Sequence, residues 1–485
     1  MIALVLTGTS LDENITLIKQ NKSYIDLVEL RIDLLSPEEQ KKAYTFPSLT
    51  PLPVILTCRR KIDGGAFTES EKLRLTLLEE TIKGNFAYID IEEDIKKSTL
   101  LQKAIDKGIE IIRSFHDFTS IPTDLYHRIT KIAAKGSIPK IAVTPNSILD
   151  VIHLFRIEQE LKHIEKKIII GMGPFGVPTR ILYKRLGSML TFTSVNEIAP
   201  GQISAKNMKT LYRGDKVNER THIYGIIGNP VLHTRSPYIQ NPGFDGIKFN
   251  AIYIPFLVDN VRSFFVLAEM LPLYGFSVTV PHKQAVLPYL GKITREVKQI
   301  GACNTVVRAK NLWMGTNTDY YGFISPLISL IQEGKIQSAL VIGAGGAARS
   351  VVWALRNHGC KVTIINRDIE KAKSLANLTM SSYDSLNNAS HYEHLNLIVQ
   401  TTSVGMEGDN EGDPIPNFTF KKEHHVYELI YTPQYTPMLQ RASLSNATLY
   451  YGIDMLYRQG KLQFENFTGY HYPKRLEINL ELEKN

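Results

Sequence analysis

The sequence predicts an α/β protein made of two unlike parts, and three observations predict it. Between residues 2 and about 200, short apolar runs of strand length alternate with helix-like segments eight times. Between residues 338 and 368 the order is strand, glycine turn, helix and strand. Separating the two, residues 204–222 (SAKNMKTLYRGDKVNERTH) are polar and charged without apolar periodicity, the composition of a linker.

In the first part the strands read IALVLTG, YIDLVELRID, PVILTCRR, FAYIDIEED, IEIIRSFHD, IPKIAVTPN, KIIIGMG and LTFTSVN. Segments such as TESEKLRLTLLEETIKG and PTDLYHRITKIAAKG between them open on a capping residue or an early proline and close on glycine, as helices do. Eight such units fit a compact (β/α)8 TIM barrel. The rival is an open doubly wound sheet, but no glycine-rich dinucleotide fingerprint follows any strand of this part. A barrel places its chemistry at the C-terminal ends of strands and in the loops after them. The polar residues that stand out fall there. Glu29 and Arg31 end the second strand, and Arg59, Arg60 and Asp63 follow the third. His116 ends the fifth strand, Arg180 follows the seventh and Gln202 the eighth. Lys140 sits inside the sixth, where a charged amine is out of character.

In the second part, IYGIIGNPVLHTRSP opens with an apolar strand, and YGFSVTVPHK and GACNTVV supply further short strands. SALVIGAGGAARSVVWALRNHGCKVTIINRD then forms a complete βαβ unit carrying GxGGxA from Gly343 to Ala348. Gly343 permits the tight turn, Gly345 lets backbone approach a pyrophosphate, and the helix N-terminus receives the anion. The unit is therefore a Rossmann dinucleotide site, with Gly343, Ala344, Gly345, Gly346 and Ala347 as its cradle. Its second strand ends in Asn366 and Arg367. A guanidinium there pairs with a 2′-phosphate, so NADP is expected. Asp368 follows directly, and its carboxylate repels that phosphate unless it points away.

Composition narrows the rest. Of 485 residues 43% are apolar and 21% charged, which permits ordinary soluble cores. The net charge of +8 comes from scattered basic residues with no nucleic-acid motif, and small anionic substrates account for it. Cys58, Cys303 and Cys360 are odd in number and far apart, so neither a disulfide framework nor a metal cage is expected. His424 and His425 lack neighbours at ligand spacing and read as surface residues. The opening MIALVLTGTS has no basic leader and too short an apolar run for a signal peptide or a span, so a cytoplasmic location is expected, without membrane or nucleic-acid partners.

ELRID (29–33), TCRRKIDGG (57–65), SFHDF (114–118), PKIAVTPNS (139–147), GPFGVPTR (173–180) and APGQIS (199–204) together resemble type I 3-dehydroquinate dehydratases. GNPVLHTRSP (228–237), FSVTVPHK (276–283), GACNTV (301–306), GTNTDYYG (315–322), GAGGAAR (343–349) and GIDMLYRQG (452–460) resemble shikimate dehydrogenases. The fused order is similar to the bifunctional dehydratase–dehydrogenase enzymes of plants, without a plastid leader.

The first resemblance implies that Lys140 forms a Schiff base with the substrate ketone and that His116 is the general acid/base. Arg180 would hold the substrate carboxylate, with Glu29, Arg31, Arg59 and Gln202 around the ring hydroxyls. Chemistry agrees, since a lysine of ordinary pKa about 10.4 becomes a nucleophile when desolvation and nearby arginines disfavour its ammonium form. Asp63 stands where the family often has glutamate to assist His116, and Ile198 stands where many members have a serine touching substrate. The second resemblance implies a catalytic pair, Lys283 and Asp319, for proton transfer while hydride moves to or from nicotinamide. Thr234 and Ser236 would hold the carboxylate, with Thr279, Asn304, Tyr431 and Gln459 completing the pocket.

The expected organisation is a dehydratase barrel over 1–206 and a linker over 207–221. A substrate-binding lobe over 222–330 and 454–485 and a Rossmann lobe over 331–453 follow. The implied function is two consecutive steps of the shikimate route to aromatic amino acids, using NADPH and no metal. Two other readings stay open. One is a dehydrogenase half that prefers quinate or NAD, which Thr234 and Asp368 keep in view; the other is a metabolite-binding regulator without catalysis. The sequence gives no oligomeric state.

Overall fold

A computed structural model describes residues 1–95, 99–195, 201–408 and 411–474. Its contacts divide the chain into two compact units. The first comprises Met1–Ile223, Val231–His233 and Asn250–Pro272; the second comprises Tyr224–Pro230, Thr234–Phe249 and residues from Leu273 on.

The first unit holds eight parallel strands: β1 (Ile2–Leu6), β2 (Leu27–Arg31), β3 (Val54–Thr57), β4 (Tyr88–Glu92), β5 (Glu110–Asp117), β6 (Ile138–Val143), β7 (Ile168–Gly171) and β8 (Thr191–Thr193). From β1 to β7 every strand pairs with its sequence neighbour, and β8 pairs with β1. That order excludes a doubly wound sheet, whose strand order reverses at a switch point. At the seam between β7 and β8, Met189 N donates to Lys167 O at 2.9 Å and Ile169 N donates to Ser188 Oγ at 2.8 Å. A serine thus stands in for part of the last ladder.

Strand alternation explains the barrel's interior. Leu27, Ile55, Ile112, Ile138 and Ile168 join one buried apolar cluster toward the start of the strands. Two and four residues later, on the same face, come Glu29 and Arg31, Thr57 and Arg59, Ser114 and His116. An apolar floor therefore passes into a polar mouth at the C-terminal ends.

The segment 207–221, expected as a linker, is folded. It carries helical turns at Asn207–Leu211 and Gly214–Lys216, and Met208, Leu211 and Val217 are buried. Three isolated apolar residues suffice for this without making a periodic stripe.

The remaining strands are β9 (His222–Gly228), β10 (Ala251–Leu257), β11 (Leu273–Val278), β12 (Lys292–Ile293), β13 (Thr305–Ala309), β14 (Leu312–Thr316), β15 (Ser338–Ile342), β16 (Lys361–Asn366), β17 (Ser382–Ser385), β18 (Leu397–Gln400), β19 (His425–Glu428) and β20 (Thr448–Tyr450). Within the second unit, β11 pairs antiparallel with β13 and β13 with β14. A separate sheet in the order β17-β16-β15-β18-β19-β20 is parallel throughout. Its faces bury alternate residues, Ala339 and Val341 on one side and Leu340 and Ile342 on the other, so its strands read as continuous apolar runs.

The helix Gly452–Thr468 buries Gly452, Met455, Gln459, Gly460, Gln463, Phe464 and Phe467, the stripe of a one-sided helix. It runs past the helix Ser236–Gly246, whose Gln240 Nε2 donates to Gly460 O at 2.8 Å. His424 is not at the surface: it is buried, accepting from Lys421 N on Nδ1 with Nε2 3.0 Å from Glu393 O. All three cysteines are buried free thiols. Among the described residues no helix is long and apolar enough to cross a membrane.

Candidate active sites

The amine of Lys140 is buried in the barrel mouth. Its Nζ lies 2.6 Å from Asp90 Oδ2, 3.5 Å from Glu29 Oε1 and 4.0 Å from the centre of the Phe192 ring. Asp90 is held from three sides, because Arg59 Nη2 reaches the same Oδ2 at 2.8 Å while Ser114 Oγ donates to Oδ1 at 2.6 Å. Arg59 Nη1 also pairs with Glu92 Oε1 at 2.9 Å. Arg59 and Lys140 keep the Asp90 carboxyl well below the usual carboxylate range despite its burial. Arg59 thus stands beside the amine, as the expectation of nearby arginines had it, with Asp90 shared between them. The nearest guanidinium is engaged by Asp90 and Glu92, and the amine itself faces carboxylates.

His116 stacks on Phe118, with ring centroids 6.1 Å apart, and its buried Nδ1 has no hydrogen-bond partner. Burial and the charges of Arg59 and Lys140 hold its pKa well below the ordinary histidine value. Asp63, expected beside His116, instead pairs with Arg60 Nε at 2.6 Å, and Arg60 also grips Asp94 at 2.9 Å. A carboxylate three residues from an arginine in one tight turn lies within reach of that guanidinium. Arg31 is forked onto Asp33 at 2.9 and 2.6 Å.

Arg180 donates through Nε to Gly171 O at 3.1 Å and faces no carboxylate among the described residues. Burial alone pulls its pKa down to about 10. Gln202 is half-buried just before Ser204, which bridges to Ser194 beyond β8. Ile198 lies outside the described residues.

In the second unit Lys283 Nζ lies 2.6 Å from Asp319 Oδ2. Asn304 Nδ2 donates to Asp319 Oδ1 at 2.8 Å and lies 2.9 Å from Thr318 Oγ1 and 3.3 Å from Gln459 Oε1. Asp319 N donates to Asn317 Oδ1, which fixes the turn carrying the carboxylate. Thr234 and Ser236 hydroxyls are 3.2 Å apart, and Tyr431 hydrogen-bonds to Thr234. Burial pushes the Tyr431 phenol up, against the nearby charge of Arg235. Thr279 is half-buried at the end of β11, its methyl packed on Gly228. Cys303 stands close by, but burial pushes its thiol up to about 12, so it is no nucleophile at neutral pH.

The glycine turn after β15 leads into the helix Gly346–Asn357. Gly343 has φ +109°, and a side chain there would strike Thr401 Oγ1 at 2.6 Å. At Gly345 a Cβ would meet nothing within 4 Å, so the space above the turn is open. Ala344, Gly346 and Ala347 are half-buried around it, and Lys283 packs its stem against Gly346. Arg367 is exposed past the end of β16, and Asn366 Nδ2 donates to Asp368 O at 2.8 Å. Asp368 turns away: its Oδ1 accepts from Glu370 N and Lys371 N, both at 3.2 Å, and caps the helix Ile369–Thr379. These residues fit a dinucleotide carrying a 2′-phosphate.

Family models agree with this geometry. Type I 3-dehydroquinase matches residues 2–219, the shikimate dehydrogenase substrate-binding domain residues 226–306, and shikimate/quinate 5-dehydrogenase residues 329–406. The chain is 34% identical, over 481 residues, to the chloroplastic bifunctional 3-dehydroquinate dehydratase/shikimate dehydrogenase of Arabidopsis thaliana, covering 93% of this chain and 79% of that one. This chain belongs to the bifunctional 3-dehydroquinate dehydratase/shikimate dehydrogenase family. Its second part is also 35% identical to a shikimate dehydrogenase (NADP(+)) of Caldanaerobacter subterraneus, covering 53% of this chain and 96% of that protein. A solved shikimate dehydrogenase in complex with NADP+ shares 31% identity at a TM-score of 0.50, covering 53% of this chain and 93% of that one.

In this bifunctional dehydratase/dehydrogenase, the sequence pattern points to Lys140, His116, Lys283 and Asp319 but not to Asp90, Glu92 and Ser114, which the structure places in the contact network of Lys140. The signal was present. Tyr88, Asp90 and Glu92 alternate along one strand, and acids at every second place of a barrel strand point to one face.

Proposed function

We propose that the barrel, residues 1–206, dehydrates 3-dehydroquinate through a Schiff base on Lys140. The dehydrogenase, from residue 222 on, then reduces the resulting 3-dehydroshikimate to shikimate with NADPH. One observation, made twice, carries the reading: a lysine amine 2.6 Å from a carboxylate at the mouth of each unit's motif cluster, Lys140 on Asp90 and Lys283 on Asp319.

In the barrel the amine must shed a proton before it attacks the ketone. Asp90 is too strongly stabilised as an anion to take it, so Asp90 orients the amine and His116 receives the proton. His116 is neutral at physiological pH, and its Nδ1 is free to accept. His116 returns that proton as the ketone oxygen leaves as water, which gives the positive imine and a neutral ring again. The imine nitrogen then draws electrons and acidifies the neighbouring C–H. His116 removes that proton, and the hydroxyl leaves as water after proton return from the same ring. Water finally hydrolyses the imine to free the product. Arg180, a half-buried cation without a counter-anion among the described residues, takes the substrate carboxylate.

In the dehydrogenase, bound NADPH supplies the hydride. Asn304 holds Asp319, with Thr318 and Gln459 around the Asn304 amide, and Asp319 holds Lys283, whose ammonium gives a proton to the carbonyl oxygen as the carbonyl carbon takes the hydride. Thr234, Ser236 and Tyr431 form a hydroxyl cluster suited to a carboxylate. Arg367 meets the 2′-phosphate, and the use of the Asp368 carboxylate as a helix cap supports NADP over NAD. The buried free thiols favour a reducing, cytoplasmic setting.

The test is to mix the purified protein with 3-dehydroquinate and NADPH and follow NADPH absorbance. Steady loss is expected. No loss with 3-dehydroquinate, but loss with 3-dehydroshikimate, would refute the dehydratase assignment alone.

A further inference from the structure

Arg74 lies on the helix Glu71–Thr81, outside the strand barrel, yet it is completely buried. Its Nη1 donates to Cys58 O at 2.7 Å and reaches Glu92 Oε2 at 2.8 Å, while Nε and Nη2 fork onto Glu71 at 3.0 and 2.7 Å. Glu92 holds Arg59 with its other oxygen, Arg59 holds Asp90, and Asp90 holds Lys140. Arg74 is therefore the outer end of a chain of contacts that terminates at the reacting amine.

The charges around Lys140 need this outer cation. Glu29 from β2 and Asp90 and Glu92 from β4 bring three buried carboxylates, against which Arg59 and Lys140 supply two positive charges. His116 from β5 is neutral, and Arg31 and Asp33 compensate each other. Glu71 reaches solvent, where its charge is screened. Arg74 supplies the third cation.

We propose that Arg74 is a positioning residue for the dehydratase, neutralising Glu92 so that Arg59 and Asp90 hold Lys140 without a surplus negative charge. The inference rests on the Schiff-base reading of the barrel. Without Arg74, Glu92 Oε2 has no ion-pair partner among the described residues and the cluster carries one excess negative charge, which favours the ammonium form of Lys140. At an effective dielectric of about 20, one unit charge within such a cluster moves a neighbouring titration by roughly one pH unit.

The experiment is the pH profile of dehydratase kcat/KM on the full chain. Arg74→Met is expected to move the acidic limb upward by about one pH unit, with the dehydrogenase activity of the same chain unchanged. Arg74→Lys keeps the charge but loses the fork to Glu71, and is expected to keep the wild-type limb. An unmoved limb in Arg74→Met overturns the proposal. So does an equal displacement in both variants, which marks a packing role alone. If Arg74→Met does not fold, Glu92→Gln tests the same balance with opposite sign: a downward move is expected, and none would overturn the proposal. A wild-type protein with no dehydratase activity removes the underlying reading instead.

Discussion

Arg180→Met separates binding from stability in opposite directions. The guanidinium is half-buried, keeps one hydrogen bond to Gly171 O, and has no anion beside it among the described residues. Burial lowers its pKa to about 10, and at about 1.36 kcal/mol per tenfold the fall from the ordinary value corresponds to about 3 kcal/mol of strain on the charged form. The sign follows from linkage. Below pH 10 both the folded and unfolded chains carry the charge, so the full penalty is present at neutral pH and eases only as pH rises through about 10. Methionine removes the charge and keeps the apolar stem, while losing a hydrogen bond of about 1 kcal/mol. The variant is expected to be more stable by about 2 kcal/mol. Activity moves the other way. Losing a buried pair with the substrate carboxylate costs about 2–5 kcal/mol, so dehydratase kcat/KM is expected to fall at least thirtyfold, roughly. Thermal unfolding at neutral pH and steady-state kinetics on one preparation read both. A destabilised variant, or an unchanged kcat/KM, would refute the assignment of Arg180 as a cation held ready for an anionic substrate.

Other consequences are equally direct. Lys140→Ala is expected to abolish dehydratase turnover while shikimate oxidation continues, and borohydride plus substrate should add mass to wild type and none to the variant. Arg367→Ala should raise KM for NADP about tenfold or more and leave KM for NAD unchanged. Asp368→Ala should leave cofactor choice alone and lower the melting temperature through a lost helix cap of about 1 kcal/mol. Burial raises the Glu428 carboxyl to about 8, where it accepts from Ile430 N and Thr436 Oγ1. Between the ordinary 4.5 and about 8 the folded state keeps a proton that the unfolded chain has released, so stability falls as pH rises through that range. Glu428→Gln preserves both contacts, and its melting-temperature advantage over wild type should grow from pH 5 to pH 8; a constant difference would refute the raised titration.

How far sequence reached depended on whether a residue's partner could be named locally. The eight barrel strands were legible because each is a run of apolar residues bounded by polar turns, and the strand-end residues followed from fold geometry. Asp368 as a helix cap is legible too, since aspartate before IEK is a helix-start pattern. Asp63 was harder. Its motif position suggested His116, while the competing Arg60 differs from it by three residues in a turn whose shape no periodicity reveals. The folded state of 207–221 was invisible for a similar reason: Met208, Leu211 and Val217 are buried by what they meet, and spacing alone does not show it.

The two sites solve the same problem by different means, and this predicts how each responds to perturbation. Both must hold a lysine against a carboxylate at 2.6 Å. In the barrel the carboxylate is fixed by other charges, so Glu29, Asp90, Glu92, Arg59, Arg74 and Lys140 form a balanced set in which deleting one member leaves another uncompensated. In the dehydrogenase it is fixed by neutral groups, with Asn304 donating to Asp319 and Thr318 and Gln459 clustered around that amide. Neutral donors constrain geometry without setting charge. Substituting Thr318 or Gln459 should therefore displace Lys283 and lower kcat without moving the pH limb, whereas any charge change in the barrel cluster should move its limb.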